Sequence, residues 1–331
     1  MAHIGIDVSK AKLDCLWVRD LEQGKVKTKV FKNQPDAFPS LLHWLQQNTG
    51  ESVDQLHVYL EATGIYHEPL AHWLYKQGVS VYVLNPAQVR YHAQGMGVRS
   101  KTDRKDSMML ARYGIERSPE PWQPEPPEVR ELKRLLGRLD ALEEDIQREE
   151  NRLEKAQFNG DSLAVESITN VLNALNEEHE RLRQSIDDHF DRNDHLKQDR
   201  ALLETIPGIG KVLSSYLTAA IRSRDFASAR QVAAFFGLVP VEEESGTSVR
   251  KRPRLSKAGS AKLRQKLYMG AVVAAQHNPD IRAQYRRLCQ RGKAKMAAIG
   301  AAMRKLMHIA YGVLKSQTVY QPQAENALKG A

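Results

Sequence analysis

From Ala2 to about Glu116, runs of strand period and runs of helical period alternate in a fixed order, and this alternation constrains the fold more than any other feature. Ile4–Asp7, Leu13–Val18 and Val26–Phe31 are apolar stretches bounded by charged and turn-forming residues, which predicts an antiparallel meander at a sheet edge. Phe38, Leu41, Leu42 and Leu45 then recur at helical spacing across Asp36–Gln47. Leu56–Leu60 is the next strand, ending on Glu61-Ala62-Thr63-Gly64. A helix over Glu68–Gln77 leads to a strand over Val79–Leu84, which Asn85-Pro86 stops.

Three strands, helix, strand, helix, strand is the order of an α/β domain of the ribonuclease H type. Gly95-Met96-Gly97 reads as a flexible approach to a helix opened by Lys101-Thr102-Asp103-Arg104-Lys105-Asp106 and continued by Met108, Met109 and Leu110. Thr102 or Asp103 is placed to cap it, and a spacing of three puts Asp103 and Asp106 on one helical face. Pro119, Pro121, Pro124, Pro126 and Pro127 crowd the stretch after it, so the first domain is expected over 1–118 and a linker over 119–127.

Beyond the prolines a long helical hairpin is expected over 128–198. Leu132, Leu135, Leu139, Leu142, Ile146 and Leu153 step by threes and fours, Asn159-Gly160-Asp161 breaks the pattern, and Ile168, Leu172, Leu175, Leu182 and Ile186 resume it. A narrow apolar seam on two charged helices is a coiled-coil signature, read either as a two-helix arm on a globular core or, the preferred reading, as an oligomerisation element. Residues 199–318 read as a mainly helical, basic domain, with helices over Ala227–Phe236, Leu263–Gln276 and Ala294–Leu314 and a mobile tail over 319–331. Within it, Ile206-Pro207-Gly208-Ile209-Gly210 followed by Lys211 resembles the turn of a helix-hairpin-helix element, in which Gly208 and Gly210 would offer backbone N–H groups to a phosphate.

The chain carries a net charge of +9 over 331 residues, which favours an anionic partner such as nucleic acid. No run of about 18 apolar residues suggests a membrane span, and strand-like sequence beginning at Ala2 leaves no room for a signal peptide. Cys15 and Cys289 sit in no ligand pattern, as in a reduced cytoplasmic protein.

Four acids of the first domain stand out: Asp7, Glu61, Asp103 and Asp106. In the inferred topology the first and fourth strands are neighbours, and the helix bearing the last two can cross that edge. Carboxylates converging there would repel unless a divalent cation neutralised them, and hard oxygen donors favour Mg²⁺, with Mn²⁺ as the alternative. Such a pocket places metal on a phosphodiester. The second feature is a loop rich in Ser, Thr and Gly from Glu242 to Val249, followed by the dense basic run Arg250-Lys251-Arg252-Pro253-Arg254-Leu255-Ser256-Lys257. A serine beside cations can serve as a nucleophile toward phosphate. Local chemistry does not rank Ser245, Ser248 and Ser256. Lys101, Arg104, Lys105, Lys211, Arg250, Lys251, Arg252, Arg254, Lys257, Lys262 and Arg264 are the basic residues expected to contact nucleic-acid backbone, with strong salt dependence.

Gly5-Ile6-Asp7-Val8-Ser9-Lys10, Glu61-Ala62-Thr63-Gly64, Asn85-Pro86 and Lys101-Thr102-Asp103-Arg104-Lys105-Asp106 closely resemble the RuvC-like half of the DEDD insertion-sequence transposases. That family includes the Piv DNA invertase and the bridge-RNA-guided recombinases. Ile206-Pro207-Gly208-Ile209-Gly210, Phe235–Pro240, Glu244-Ser245-Gly246 and Ser256-Lys257-Ala258-Gly259 resemble its second half, in the same order. The resemblance implies that Asp7, Glu61, Asp103 and Asp106 bind Mg²⁺ and that Ser245 attacks DNA to form a phosphoserine link. It also implies a dimer or tetramer joined through the coiled coil, a composite site built from both domains, donor and target DNA as substrates, a structured noncoding RNA guiding their choice, and a place at the bacterial nucleoid. Two other readings of the same residues stay open. One is a metal-dependent nuclease or junction resolvase that uses activated water, and the other a non-catalytic nucleic-acid scaffold that leaves the acids unexplained.

Overall fold

The computed structural model describes residues 1–97, 103–242, 244–245, 249–250 and 253–323, with backbone alone at 103, 104, 244, 245, 249 and 250. It divides into two compact units, Met1–Pro124 and Glu125–Ala331.

The first unit contains β1 (Ala2–Val8), β2 (Lys12–Asp20), β3 (Lys25–Lys32), α1 (Phe38–Thr49), β4 (Leu56–Glu61), α2 (Glu68–Lys76), β5 (Ser80–Leu84), α3 (Pro86–Gly95) and α4 (Asp103–Arg117). The sheet runs β3-β2-β1-β4-β5. Its first three strands in sequence pair antiparallel, and β1, β4 and β5 are parallel. Period-2 alternation sorts the two faces. Ile4, Ile6, Leu13, Val58, Leu60 and Val81 point to one side and form a core with Phe38, Leu41 and Leu45 of α1 and Leu70 and Leu74 of α2. Each such fully buried side chain contributes about 1.5–3 kcal/mol relative to exposure. On the other face, Tyr59, Tyr82 and Leu84 pack with Val89 of α3 and Met109 and Leu110 of α4, while Leu16 and Val18 pack with Ala111. The outer strand β3 is largely exposed and carries Lys25, Lys27, Lys29 and Lys32, a charge pattern that blunts an open sheet edge.

Two glycines let α4 lie close to the sheet. A Cβ on Gly5 would fall 1.8 Å from the carbonyl oxygen of Ser107, and one on Gly114 would fall 2.1 Å from the ring of Tyr59. That ring belongs to a polar ladder across the sheet. His3 Nδ1 meets the Tyr59 hydroxyl at 3.0 Å, and His57 Nδ1 meets that of Tyr82 at 2.8 Å. The two tyrosine rings stack at 4.7 Å. Burial lowers the proton affinity of both histidines, assisted at His3 by His57 and at both by the N-terminal ammonium.

Two expectations change here. Asn85-Pro86 ends β5 and also starts α3: the Asn85 side chain accepts from the Ala87 N–H, and Pro86 occupies the first turn. Gly95 is accordingly the last residue of a helix and not part of a flexible approach. The proline-rich stretch is held to the sheet at Trp122, whose N–H donates to the Val81 carbonyl at 2.7 Å while its ring meets His72 and Tyr75 edge-on. Pro127, expected at the end of a linker, opens the next helix.

The second unit begins with α5 (Pro127–Phe158) and α6 (Ser162–Asp191), joined at Gly160, with φ +71°, and at Asp161, which caps α6 through the Ala164 N–H. They run antiparallel, with His189 hydrogen-bonded to the Glu128 carbonyl at 2.9 Å and His179 facing Glu143 at 3.8 Å. Toward the base, Leu132, Leu136, Leu139, Leu142, Leu182, Ile186 and Phe190 share one core with Leu203, Leu213 and Leu217. Leu136 is buried and Leu135 only partly so, a shift of the expected seam by one residue. Toward the tip, Ile146, Leu153 and Ile168 are half-buried, while Phe158 and Leu163 are exposed.

Next come α7 (Asp194–Glu204), α8 (Lys211–Ile221), α9 (Ala229–Phe235), four two-residue strands, then α10 (Ala261–His277), α11 (Pro279–Gln290) and α12 (Lys295–Ser316). The strands are β6 (Pro240–Val241), β7 (Glu244–Ser245), β8 (Val249–Arg250) and β9 (Arg254–Leu255). Buried Asp199 is gripped by the Arg222 guanidinium at 2.5 and 2.7 Å and by Gln317 Nε2 at 2.8 Å. The tail, expected to be mobile beyond 318, is held as far as Gln323. The Tyr320 hydroxyl donates to Asp280 at 2.7 Å, its N–H donates to Thr205 Oγ1 at 3.0 Å, and the Gln323 N–H reaches Asp280 at 3.2 Å. No helix among the described residues is long and apolar enough to cross a membrane.

Candidate active site

Strand alternation that buries Ile4, Ile6 and Val8 turns His3, Gly5 and Asp7 to the face covered by α4. The same alternation in β4 sends Leu56, Val58 and Leu60 to the core and Tyr59 and Glu61 to the α4 face. β1 and β4 run parallel with Ile6 opposite Leu60, so the next residues, Asp7 and Glu61, fall in step at the C-terminal edge of both strands. Adjacent strands lie about 4.8 Å apart. Two acids from distant parts of the chain therefore share one edge and one face, both half-buried.

The third component arrives on α4. Ser107 is almost fully buried, and its hydroxyl accepts from the Asp7 N–H at 3.3 Å and donates to the Asp14 carbonyl at 2.7 Å. One side chain thus ties the first turn of α4 to β1 and β2 together. Asp106, the preceding residue, is half-buried beside this staple, and Asp103 is the first residue of the helix. The side chain of Asp103 lies outside the described residues, as do Thr102 and its expected capping role. Among the described residues, no three His, Cys, Asp or Glu side chains gather closely enough to hold a metal ion.

Asp14 was not among the expected site residues. It is paired with Asp7 across β1 and β2, so both side chains lie on the α4 face, and Lys12 Nζ neutralises it at 3.1 Å. The signal available in sequence is an acid between Leu13 and Cys15, at the strand position that faces away from them.

Ser245 lies on a nested β-ribbon. β6 pairs with β9 and β7 with β8, with Glu244 opposite Arg250 and Ser245 opposite Val249. The Ser256 N–H donates to the Val239 carbonyl at 2.9 Å and closes the base. Backbone pairing places Ser245 on the inner ladder; its side chain, Ser248 and the basic residues Lys101, Lys251 and Arg252 lie outside the described residues, as do the side chains of Arg104 and Arg250.

The other basic residues fall into different environments. Lys105, Arg254 and Lys257 are exposed. Lys211 and Arg200 both bind Asp187, at 2.6 and 2.8 Å. Lys262 pairs with Glu144. Arg264 fastens the ribbon's outgoing loop, donating to the carbonyls of Ala258 at 2.5 Å and Gly259 at 3.1 Å. Gly208, at φ +104°, faces α10: a Cβ there would lie 2.6 Å from Ala274 Cβ and 2.7 Å from the Gly270 carbonyl. Its missing side chain thus serves the approach of two segments, while Gly210 at the start of α8 is exposed.

An α/β unit with two acids at one sheet edge is thus followed by a mainly helical unit with a short β-ribbon. A DEDD-type transposase family profile matches residues 4–156, and the profile of the transposase IS116/IS110/IS902 family matches residues 200–286. The pilin gene-inverting protein of Moraxella bovis is 31% identical over 315 residues, covering 95% of either chain, and its Moraxella lacunata counterpart is equally similar. The insertion element IS110 uncharacterized 43.6 kDa protein of Streptomyces coelicolor is 23% identical over 160 residues, 48% of this chain and 38% of that protein. The chain belongs to the IS110/IS116 family of transposases, and is a DNA recombinase or transposase enzyme.

Proposed function

We propose that this chain is the site-specific recombinase of an insertion sequence, cutting and rejoining DNA through a phosphoserine intermediate at Ser245. The observation that carries the proposal is the in-step placement of Asp7 and Glu61 on the face that α4 covers, with Ser107 fixing the helix that bears Asp106. We read the strand order of the first unit as ribonuclease H-like, of the RuvC type, and the α5–α6 hairpin as a coiled coil that joins protomers.

Carboxylates are hard donors and suit Mg²⁺ or Mn²⁺, which when bound would polarise the scissile phosphate. In this reading Asp7 and Glu61, held by the sheet, and Asp103 and Asp106, held by α4, would hold that ion. The Ser245 hydroxyl attacks phosphorus and gives up its proton; one P–O bond to the sugar breaks, the departing sugar oxygen takes up a proton and leaves as a hydroxyl, and a serine phosphodiester forms. Because the ester conserves the bond energy, a second DNA hydroxyl displaces the serine and completes strand exchange. The basic run 250–257 beside Ser245 holds the backbone. A structured RNA encoded with the element selects donor and target DNA, as the family resemblance implies.

The second reading is hydrolysis by activated water on the same acids. Asp7→Asn removes cleavage under both readings. Ser245→Ala removes it only under the phosphoserine reading, so a Ser245→Ala protein that still nicks DNA would favour hydrolysis.

A further inference from the structure

The long exposed helices of the second unit mix their charges. On α5 and α6, Arg148 pairs with Asp145, Arg152 with Glu149, Arg181 with Glu178 and Arg183 with Glu180, each three residues apart. α11 is built differently. It carries Arg282, Arg286 and Arg287, with Arg291 at its C-cap, and all four are exposed. From Ile281 to Gln323 the sequence holds nine Lys and Arg and no Asp or Glu. Arg282 and Arg286 stand four residues apart, as do Arg287 and Arg291, the spacing at which like charges on a helix repel. One short helix bears that repulsion twice.

The arrangement around the axis is equally specific. α11 packs on α10 and α12. Its inner side holds Ile281, fully buried, and Gln284, Tyr285, Leu288 and Cys289, all half-buried. At 3.6 residues per turn, Arg282 and Arg286 then run along one flank of the outer side and Arg287 and Arg291 along the other, roughly 140° apart. Ala283 and Gln290, both exposed, form the crest between them. Asp280, the acid of α11, is engaged at the start of the helix by the Tyr320 hydroxyl at 2.7 Å and the Gln323 N–H at 3.2 Å. The Asn278 side chain caps the same end through the Ile281 N–H at 3.2 Å.

We propose that α11 docks in the major groove of duplex DNA, with its two arginine flanks on the phosphates of opposite strands and its crest toward the base edges. A helix with its side chains is about 10–12 Å across, and the major groove of B-DNA is about 12 Å wide and admits one. Cations on both flanks of a helix answer the two phosphate ridges that bound a groove; a single backbone would be met by one row. Arginine suits the task, since its planar fork matches phosphate oxygens. At the crest, the small Ala283 permits close approach, and Gln290 offers the amide that pairs with adenine in this groove. Double-stranded RNA does not fit, because its major groove is too deep and narrow for side chains to read. The inference rests on the family assignment, which makes DNA the substrate, and is independent of the acid site and of Ser245.

The test is equilibrium binding of the full-length protein to a duplex DNA and to a hairpin RNA of matched length, in chelator so that no strand is cut, at several salt concentrations. Arg282→Gln/Arg286→Gln and Arg287→Gln/Arg291→Gln are each expected to weaken duplex DNA binding at least about 10-fold near 0.1 M salt. Each should flatten the log–log salt slope by about 2, since a phosphate contact contributes roughly 0.9 on B-DNA. Arg148→Gln/Arg152→Gln on α5 removes the same charge from acid-paired positions and is expected to leave both quantities at the wild-type value, as all three variants are expected to do for the hairpin RNA. Relief of like-charge repulsion keeps the melting temperature of the α11 variants at or above wild type. Should a pair melt lower, the exposed single variant Arg286→Gln or Arg287→Gln is read in its place, with an expected slope change of about 1. Unchanged duplex binding in either flank variant, an equal loss in the α5 control, or an equal loss on the hairpin RNA would overturn the proposal. Persistent cleavage by Asp7→Asn would overturn the four-acid reading and leave this one standing.

Discussion

Gly5→Ala is the smallest change that tests how the acids are brought together. The added carbon would lie 1.8 Å from the Ser107 carbonyl oxygen, 2.8 Å from the Ser107 carbonyl carbon and 3.0 Å from the Ala111 nitrogen. All three are backbone atoms of α4, so no side chain can swing aside. Comfortable contact needs roughly 3.4 Å, and the helix must therefore retreat by about 1.5 Å at its first full turn. Overpacking of this kind costs about 1–3 kcal/mol or more. The catalytic consequence is larger, because α4 carries Asp103 and Asp106, and a misplacement of about 1 Å costs on the order of 100-fold. Thermal denaturation and DNA strand cleavage with saturating Mg²⁺ read the two effects separately. The control is Gly137→Ala on α5, where nothing lies within 4 Å of the added carbon. It is expected to stabilise the helix by about 0.5–1 kcal/mol and to leave cleavage alone. A Gly5→Ala protein that melts and cleaves like wild type would refute the packing account of the site.

Two further outcomes follow from the same geometry. Ser107→Ala removes the hydroxyl that accepts from the Asp7 N–H and donates to the Asp14 carbonyl. It is expected to cost about 1–2 kcal/mol and to raise the Mg²⁺ concentration needed for half-maximal cleavage, while Ser107→Cys recovers part of both. At Asp187, burial raises the carboxyl's pKa, but hydrogen bonds and charge from Lys211 and Arg200 outweigh it and hold the group below the ordinary carboxylate range. A depressed folded-state value means stability fully present above the unfolded carboxylate's pKa of about 3.9 and lost as pH falls through the folded value. Asp187→Asn should therefore cost about 1 kcal/mol at neutral pH and remove part of the acid-induced loss below about pH 4, as measured by urea unfolding across pH.

Much of the first unit was legible in the sequence because its strands alternate cleanly. Ile4, Ile6 and Val8 against Gly5 and Asp7 give the face of β1, and Leu56, Val58 and Leu60 give that of β4. What escaped shares a cause. Asn85-Pro86 reads as a stop, yet the Asn85 side chain caps a helix whose first turn holds the proline, so α3 is absent from the sequence reading; α11, for which no helix is expected, starts the same way at Asn278-Pro279. Neighbouring leucines such as Leu135 and Leu136 fit one helical stripe equally well, and only packing against the C-terminal helices decides which is buried. Gly5 was readable as a strand glycine but not as the floor of α4, because that contact spans about a hundred residues. The tail looked aperiodic, and its anchoring depends on single hydrogen bonds from Tyr320 and Gln323 that leave no pattern.

The central claim is that the strand is cut by a serine and not by water. The most direct measurement is to incubate the protein with Mg²⁺ and its cognate DNA, denature it, and map any DNA-linked peptide by mass spectrometry. The account predicts a covalent adduct on the peptide containing Ser245, absent from Ser245→Ala and from Asp7→Asn. Cleaved DNA with no adduct, or an adduct that survives Ser245→Ala, would contradict it.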